Sequence, residues 1–159
     1  MPTEIERKFL VDVSALPASV RSVGGSRFTQ GYLSVEPVVR VRLSERDDRA
    51  PEAWITIKGS GTLSRAEYEY AIPAEHAREM MGLCVAVLSK TRHHVEVGSH
   101  TWDLDEYHGA LDGFWLAEVE LRDEHEAFER PAWVSQEVTR DPTYTNVALA
   151  LKILGKSLK

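Results

Sequence analysis

Residues 4–11 read EIERKFLV, a stretch in which charged and apolar side chains alternate. Successive side chains on a β-strand point to opposite faces of the sheet, so Glu4, Glu6 and Lys8 would share one face, with Ile5 on the other. Antiparallel sheets commonly have one packed face and one polar face. The stretch therefore predicts a β-strand whose polar face carries two carboxylates and a cation.

The same alternation recurs along the chain and places charged pairs on one face of most strands. Further strands are predicted at residues 27–35, 38–43, 54–58, 65–72, 87–97, 102–107 and 114–122. The polar faces of these strands would carry Arg40 and Arg42, Thr56 and Lys58, Glu67 and Glu69, Lys90 and Arg92, Asp103 and Asp105, and Glu118 and Glu120. In most of these pairs both residues carry the same charge, which an ordinary solvated face does not require.

Helices are fewer than strands. Pro73 precedes AEHAREMM at a plausible first helical position, with Gly82 as a C-terminal cap. A second helix is predicted from about Thr145 to Gly155. Shorter helices are predicted within residues 13–20, broken by Pro17, and near residues 124–130. Many strands with few helices favour an α+β fold, an antiparallel barrel or strongly curved sheet with peripheral helices.

The composition is that of an ordinary globular protein. The chain has 159 residues, 43% hydrophobic and 28% charged, which fits a single domain over residues 1–159. A net charge of -6 without a basic stretch argues against nucleic-acid binding. The lone cysteine, Cys84, cannot form an internal disulfide, and the N-terminal residues lack an apolar run. We therefore expect a cytoplasmic protein with no membrane partner.

The charged faces have two interpretations that the pattern alone leaves open. They are either the wet side of an ordinary sheet or the lining of a site for a polyanion and a metal. Arginine, as at Arg40 and Arg42, suits bidentate contact with phosphate oxygens. Paired carboxylates suit Mg²⁺ or Mn²⁺, which prefer oxygen ligands.

Eight short motifs occur in an order that resembles the CYTH superfamily, the triphosphate tunnel metalloenzymes. The first is EIERK at residues 4–8, similar to that family's ExExK signature. The others are QGYL at 30–33, RVR at 40–42, TIKG at 56–59, RAEYE at 65–69, KTR at 90–92, AEVEL at 117–121 and EVTRDPTYTN at 137–146. The resemblance covers nearly the whole chain.

The resemblance implies a closed eight-stranded antiparallel barrel, a triphosphate tunnel with peripheral helices, and a metal-dependent enzyme that hydrolyses or cyclises triphosphates. The implied ligands of Mg²⁺ or Mn²⁺ are Glu4, Glu6, Glu118 and Glu120. The implied triphosphate-binding cations are Lys8, Arg40, Arg42, Lys58, Arg65, Lys90 and Arg92. Tyr32 and Lys90 are both candidates for activating or orienting the attacking water. Residues expected to pair with the cations are Glu67, Glu69 and Asp103.

The leading functional hypothesis is hydrolysis of inorganic triphosphate to diphosphate and phosphate, because no base-recognition element is evident in the sequence. One alternative is a nucleotide or thiamine triphosphate-processing enzyme, including an adenylate cyclase of the same superfamily. Another is a noncatalytic polyphosphate-binding module. The expected partner is a small-molecule triphosphate, and an apolar outer face would also suit a homodimer. The substrate, the preferred metal and the oligomeric state stay open.

Overall fold

The computed structural model describes residues 5–59 and 66–155. Glu4 and Arg65, both predicted site residues, lie outside these ranges. The described strands are β1 (Ile5–Val11), β2 (Ser26–Val35), β3 (Val38–Arg46), β4 (Arg49–Lys58), β5 (Glu67–Ile72), β6 (Ala86–Val97), β7 (His100–Tyr107), β8 (Trp115–Leu121) and β9 (Val134–Glu137). The described α-helices are α1 (Ser19–Ser22), α2 (Ala74–Met81) and α3 (Asn146–Ile153). In these ranges, no helix combines the length and apolarity needed to cross a bilayer.

The chain divides into two compact units. The described part of unit 1 comprises residues 5–25 and 91–142, and that of unit 2 comprises residues 26–59, 66–90 and 143–155. Strand β6 contributes residues to both. The strand order is β6-β7-β8-β1-β9 in unit 1 and β5-β4-β3-β2-β6 in unit 2. A mostly antiparallel sheet with few helices is therefore confirmed.

The predicted closure of eight strands into a barrel is not confirmed. Over the described residues there are nine strands, and β9 in unit 1 and β5 in unit 2 are edge strands. The division by contacts likewise leaves a single domain over residues 1–159 as a prediction.

Aromatic side chains build the core of unit 1. Phe9, Trp102 and Trp115 are almost completely buried, and the rings of Phe9 and Trp102 lie 5.6 Å apart. On β8 the core residues alternate in sequence with Glu118, which therefore faces away from them. Packing one face of β1, β7 and β8 against this core fixes the orientation of the charged face opposite.

The core of unit 2 lies where α2 packs against β2, β3 and β4. Val41, Leu43 and Ala53 are buried there with Ala77 of the helix. Gly31 permits this close packing, since a Cβ at that position would lie 2.5 Å from the Sγ atom of Cys84. The glycine of the QGYL motif therefore belongs to the packed side of β2, and its two sequence neighbours belong to the polar side.

The structure differs from the predictions at two places. No helix forms in residues 124–130: a single turn closes where the amide of Glu126 donates to the carbonyl of Asp123, and the Glu126 carboxylate accepts a hydrogen bond from the amide of Arg122. Strand β9 was not predicted. The helix predicted within residues 13–20 is interrupted at Pro17, as predicted, with a short 3₁₀ helix (Val13–Ala15) before it and the start of α1 after it.

Strand β9 is tied to β1 by an ion pair between Arg7 and Glu137. The Arg7 guanidinium donates two hydrogen bonds to the carboxylate, at 2.8 and 2.6 Å. These hydrogen bonds are the main reason that the pKa of Glu137 is lowered to about 2, with a further contribution from Thr139. A lowered folded-state pKa stabilises the protein above the unfolded pKa, near 4.5, and the contribution is lost as the pH falls towards 2.

We predict that Glu137→Gln lowers the free energy of unfolding by about 1 kcal/mol at pH 7, a value discounted for the solvent exposure of the pair. The difference from wild type should shrink as the pH falls from about 4.5 towards 2, because the native carboxylate then becomes protonated. Urea unfolding across this pH range measures both. Glu129→Gln, a change at another exposed glutamate, is the control, and an equal loss at every pH would refute the assignment.

Candidate functional site

The predicted carboxylates of unit 1 lie on neighbouring strands. In the register of β1 with β8, Glu6 is opposite Glu120 and Lys8 is opposite Glu118. In the register of β7 with β8, Asp103 is also opposite Glu118. Glu118 is 8% exposed, whereas Glu6 and Glu120 are exposed to solvent. The period of two therefore brings predicted metal-binding and cation-pairing side chains onto one face.

Glu6 and Glu118 interact directly. Desolvation, a hydrogen bond between the two carboxyl groups and the negative charge of Glu118 together raise the pKa of Glu6 to about 8. Glu6 is exposed to solvent, but the nearby charge of Glu118 still makes the ionised form of the Glu6 carboxyl group less favourable. The Nζ atom of Lys8 lies 3.8 Å from a Glu118 oxygen and offsets part of the repulsion. The metal-free pair therefore favours holding a proton.

Two neighbouring carboxyl groups, of which Glu6 has a raised pKa, fit a hard divalent cation, because its charge would offset the repulsion between them. Over residues 5–59 and 66–155, however, no group of three or more histidine, cysteine, aspartate or glutamate side chains is close enough to hold a metal ion. Glu4, the fourth glutamate of the predicted set, lies outside these ranges. Of the predicted metal-binding glutamates, the structure thus brings Glu6 and Glu118 close to each other.

Arg92 is fixed by two aspartates of β7. It donates to both oxygens of the buried Asp105, at 2.8 and 3.0 Å, and its Nη1 atom lies 3.6 Å from Asp103. Burial alone would lower the pKa of Arg92, but the hydrogen bonds and negative charge of Asp105 outweigh it and raise that pKa. Arg92 is therefore a fixed positive charge on the same face as Glu118, whose charge also acts on it.

The predicted arginines of unit 2 lie beside two polar residues of β2. In the register of β2 with β3, Gln30 is opposite Arg42 and Tyr32 is opposite Arg40. The Nε atom of Arg42 donates to Gln30 at 2.9 Å, and its guanidinium lies 4.7 Å from the centroid of the Phe28 ring. Desolvation raises the pKa of Tyr32, despite the opposing effect of the two arginines. Tyr32 is therefore a neutral phenol at physiological pH.

Arg40 also contacts the strands on its other side. Its Nη2 atom lies 3.4 Å from the hydroxyl of Thr56 and 3.8 Å from the carboxylate of Glu69. The same hydroxyl donates to Glu69 at 2.9 Å. Further along this sheet, Lys58 lies opposite Glu67 in register. The carboxylates of β5 are thus adjacent to the cations of β3 and β4.

Lys90 is completely buried, which is unusual for a lysine. Its ammonium donates to the Oδ1 atom of Asn146 at 3.3 Å. Asn146 is the first residue of α3, directly after Thr145, whose hydroxyl caps the helix by accepting a hydrogen bond from the amide of Ala148. The cap of α3 therefore positions the side chain that holds Lys90.

Several polar residues contact predicted site residues but were given no role from the sequence. They include Gln30, Asp105 and Asn146. Gln30 and Asp105 were detectable in principle, because each is two residues from a predicted site residue on the same strand. The Lys90–Asn146 contact joins residues 56 positions apart, and no local pattern could have indicated it.

Comparison with known proteins identifies the protein family to which this chain belongs. The CYTH domain family model matches residues 2–149, and the chain belongs to that family. A relative from Acetivibrio thermocellus named inorganic triphosphatase is 38% identical, with 92% of each chain covered. A second relative with the same name, from Nitrosomonas europaea, is 35% identical, with 95% of this chain and 99% of the relative covered.

Solved structures agree with the sequence relatives. A crystal structure of an inorganic triphosphatase has a TM-score of 0.71 to this chain at 32% identity, covering 95% of this chain and 96% of that one. A crystal structure of a putative adenylate cyclase from Bacillus halodurans has a TM-score of 0.53 at 15% identity, with 76% of this chain and 81% of that chain covered. The second likeness supports the fold alone.

Proposed function

We propose that this chain is an inorganic triphosphatase that hydrolyses tripolyphosphate to diphosphate and phosphate. The observation that carries the proposal is the pair of relatives with that name, which are 38% and 35% identical over almost the full length of both chains. The charged side chains of each unit support it: unit 1 carries Glu6 and Glu118, and unit 2 carries Arg40, Arg42 and the buried Lys90.

Divalent metal, Mg²⁺ or Mn²⁺, is part of the proposal. When bound, it would neutralise phosphate oxygens and stabilise negative charge on the diphosphate leaving group. Glu6 and Glu118 would hold it, together with Glu4 and Glu120. Lys8 would keep its ion pair with Glu118, and Arg92 would keep the nearby charge balanced through Asp105 and Asp103.

The cations of unit 2 would bind the triphosphate itself. Arg40 and Arg42 would donate to non-bridging phosphate oxygens, and Lys58 and Lys90 would add positive charge along the chain of phosphates. Arg65 belongs to the same proposed set. Glu67 and Glu69 would hold these cations in place, as the contact of Glu69 with Arg40 supports. Water would attack the terminal phosphorus, and the bond to the diphosphate oxygen would break.

Tyr32 and Lys90 are the proposed catalytic residues. The raised pKa of Tyr32 opposes a role as the base, since its hydroxyl is then protonated and acts best as a hydrogen-bond donor or acceptor. We assign to Tyr32 the orientation of the attacking water. Lys90, held by Asn146, would orient the water or the terminal phosphoryl group from a second direction.

We propose that the strands close into the eight-stranded barrel that the resemblance implies. We also propose a cytoplasmic location without nucleic-acid or membrane partners, supported by the net charge of -6 and the lone cysteine. A homodimer would use exposed apolar residues, such as Tyr68 and Tyr70 on the edge strand β5.

A comparison of substrates tests the proposed function. We would measure kcat/KM for tripolyphosphate, ATP and thiamine triphosphate, each with Mg²⁺ and with Mn²⁺. We expect tripolyphosphate to be cleaved with the highest kcat/KM. A higher value for either organic triphosphate would move the function to the alternative class, and tight binding of tripolyphosphate without turnover would make the chain a binding module.

A further inference from the structure

Gln30 is a completely buried neutral residue on the basic face of unit 2. Its amide oxygen accepts the hydrogen bond from Arg42 Nε at 2.9 Å. This contact determines the orientation of the amide, because a guanidinium can only donate hydrogen bonds and must face the oxygen. The Nε2 group of Gln30 therefore occupies the other end of the amide.

Two buried donors on this face have no acceptor. Within the described ranges, neither Gln30 Nε2 nor Arg40 Nε has a hydrogen-bond partner. Gln30 is close enough to Tyr32 to influence its hydroxyl, but no hydrogen bond of good geometry joins Nε2 to it. Buried unpaired donors are costly and uncommon in native proteins, and those that occur often await a ligand or water.

The residues around these two donors indicate which kind of ligand would accept hydrogen bonds from them. Gln30 and Arg40 lie on adjacent strands, next to the guanidinium of Arg42 and the phenol of Tyr32. A ligand there meets N–H donors and positive charge, so it needs several acceptor oxygens and negative charge. A phosphoryl group has three non-bridging oxygens and satisfies both requirements.

We propose that Gln30 is a phosphate-binding residue whose Nε2 donates to a non-bridging oxygen of the phosphoryl group held by Arg40 and Arg42. The proposal rests on the proposed function and adds a subsite to it. Gln30 contributes a hydrogen bond without adding charge, and its contact with Arg42 holds that guanidinium in the same subsite.

The test compares Gln30→Glu with Gln136→Glu, which makes the same change at the only other glutamine of the chain, exposed on β9. An ionised glutamate at position 30 keeps the side-chain length and still accepts from Arg42, but it lacks the donor and repels phosphate. We expect KM for tripolyphosphate to rise roughly 10- to 100-fold in Gln30→Glu and to stay near wild type in Gln136→Glu.

Gln30→Met is the second variant, because it removes the whole amide, both the Nε2 donor and the acceptor of Arg42, without adding a charge. Its KM should rise less than that of Gln30→Glu, with kcat within a few-fold of wild type. Thermal unfolding and direct binding of tripolyphosphate are measured for every variant, and Gln30→Met decides if Gln30→Glu does not fold. Wild-type KM in the folded Gln30 variants, or a fall in kcat alone, would overturn the subsite. Absence of tripolyphosphate binding by the wild-type protein would overturn the proposed function as well.

Discussion

Glu6→Gln is expected to reduce metal-dependent cleavage of tripolyphosphate by at least about 100-fold, because an amide is a much poorer ligand for Mg²⁺ than a carboxylate. The same change should stabilise the metal-free protein. The pKa of Glu6 is raised to about 8 in the folded state, mainly by desolvation and by Glu118. A neutral glutamine at this position has no charge to be desolvated or repelled.

The sign and pH range of the stability effect follow from linkage. Because the folded pKa exceeds the unfolded value near 4.5, the contribution of Glu6 is fully present below pH 4.5 and is lost as the pH rises towards 8. In a chelator, Glu6→Gln should therefore gain stability over wild type as the pH rises, reaching about 1 kcal/mol after discounting for the exposure of Glu6.

The control for this experiment is Glu79→Gln, at an exposed position of α2. It should change neither turnover nor the pH dependence of stability. Initial rates with Mg²⁺ and chemical unfolding from pH 4 to 9 are the measurements. Wild-type turnover in Glu6→Gln would remove Glu6 from the proposed metal site, and a variant that loses stability relative to wild type at high pH would contradict the effect of Glu118 on Glu6.

Arg92→Met is expected to lower the free energy of unfolding by about 3–5 kcal/mol, the usual cost of removing one partner of a buried ion pair. The reason is Asp105, which is 1% exposed and receives two hydrogen bonds from Arg92. Without the guanidinium, the buried Asp105 loses both of these charge-assisted hydrogen bonds and must remain a poorly stabilised anion or take up a proton. Urea unfolding at pH 7 measures the loss.

The double variant Arg92→Met with Asp105→Leu separates the buried charge from the loss of packing. It should recover most of the lost stability, because apolar replacement of a whole buried pair is often nearly neutral. It should not recover turnover, since the proposed site has then lost a cation. A double variant no more stable than Arg92→Met would show that Arg92 stabilises unit 1 by some means other than its charge pair.

Local patterns predicted the strands well because one face of most of them is packed. On β8, alternation of core residues with Glu118 and Glu120 follows directly from the pleat. Helix α2 was predicted from Pro73 and Gly82; Gly82 is its C-cap, and Pro73 is its N-cap, so the helix begins one residue later than predicted. The sequence order of QGYL even separates its packing residue, Gly31, from its polar residues, Gln30 and Tyr32.

Features that depend on long-range pairing could not be predicted. Strand β9 is a short edge strand, and its position depends on the ion pair between Arg7 and Glu137, 130 residues apart. Residues 124–130 have helix-compatible composition, but Glu126 is paired instead with His100 of β7 and with the Arg122 amide. The placement of Glu6 diagonal to Glu118 likewise depends on the register of β1 with β8, which no single stretch of sequence determines.

The most direct test of the central claim is ³¹P NMR of tripolyphosphate incubated with the wild-type protein and Mg²⁺, beside a matched sample in excess chelator. An inorganic triphosphatase replaces the tripolyphosphate signals by equal amounts of diphosphate and phosphate, and we expect this only when the metal is present. An unchanged spectrum with Mg²⁺ and with Mn²⁺, from protein shown to be folded, would contradict it.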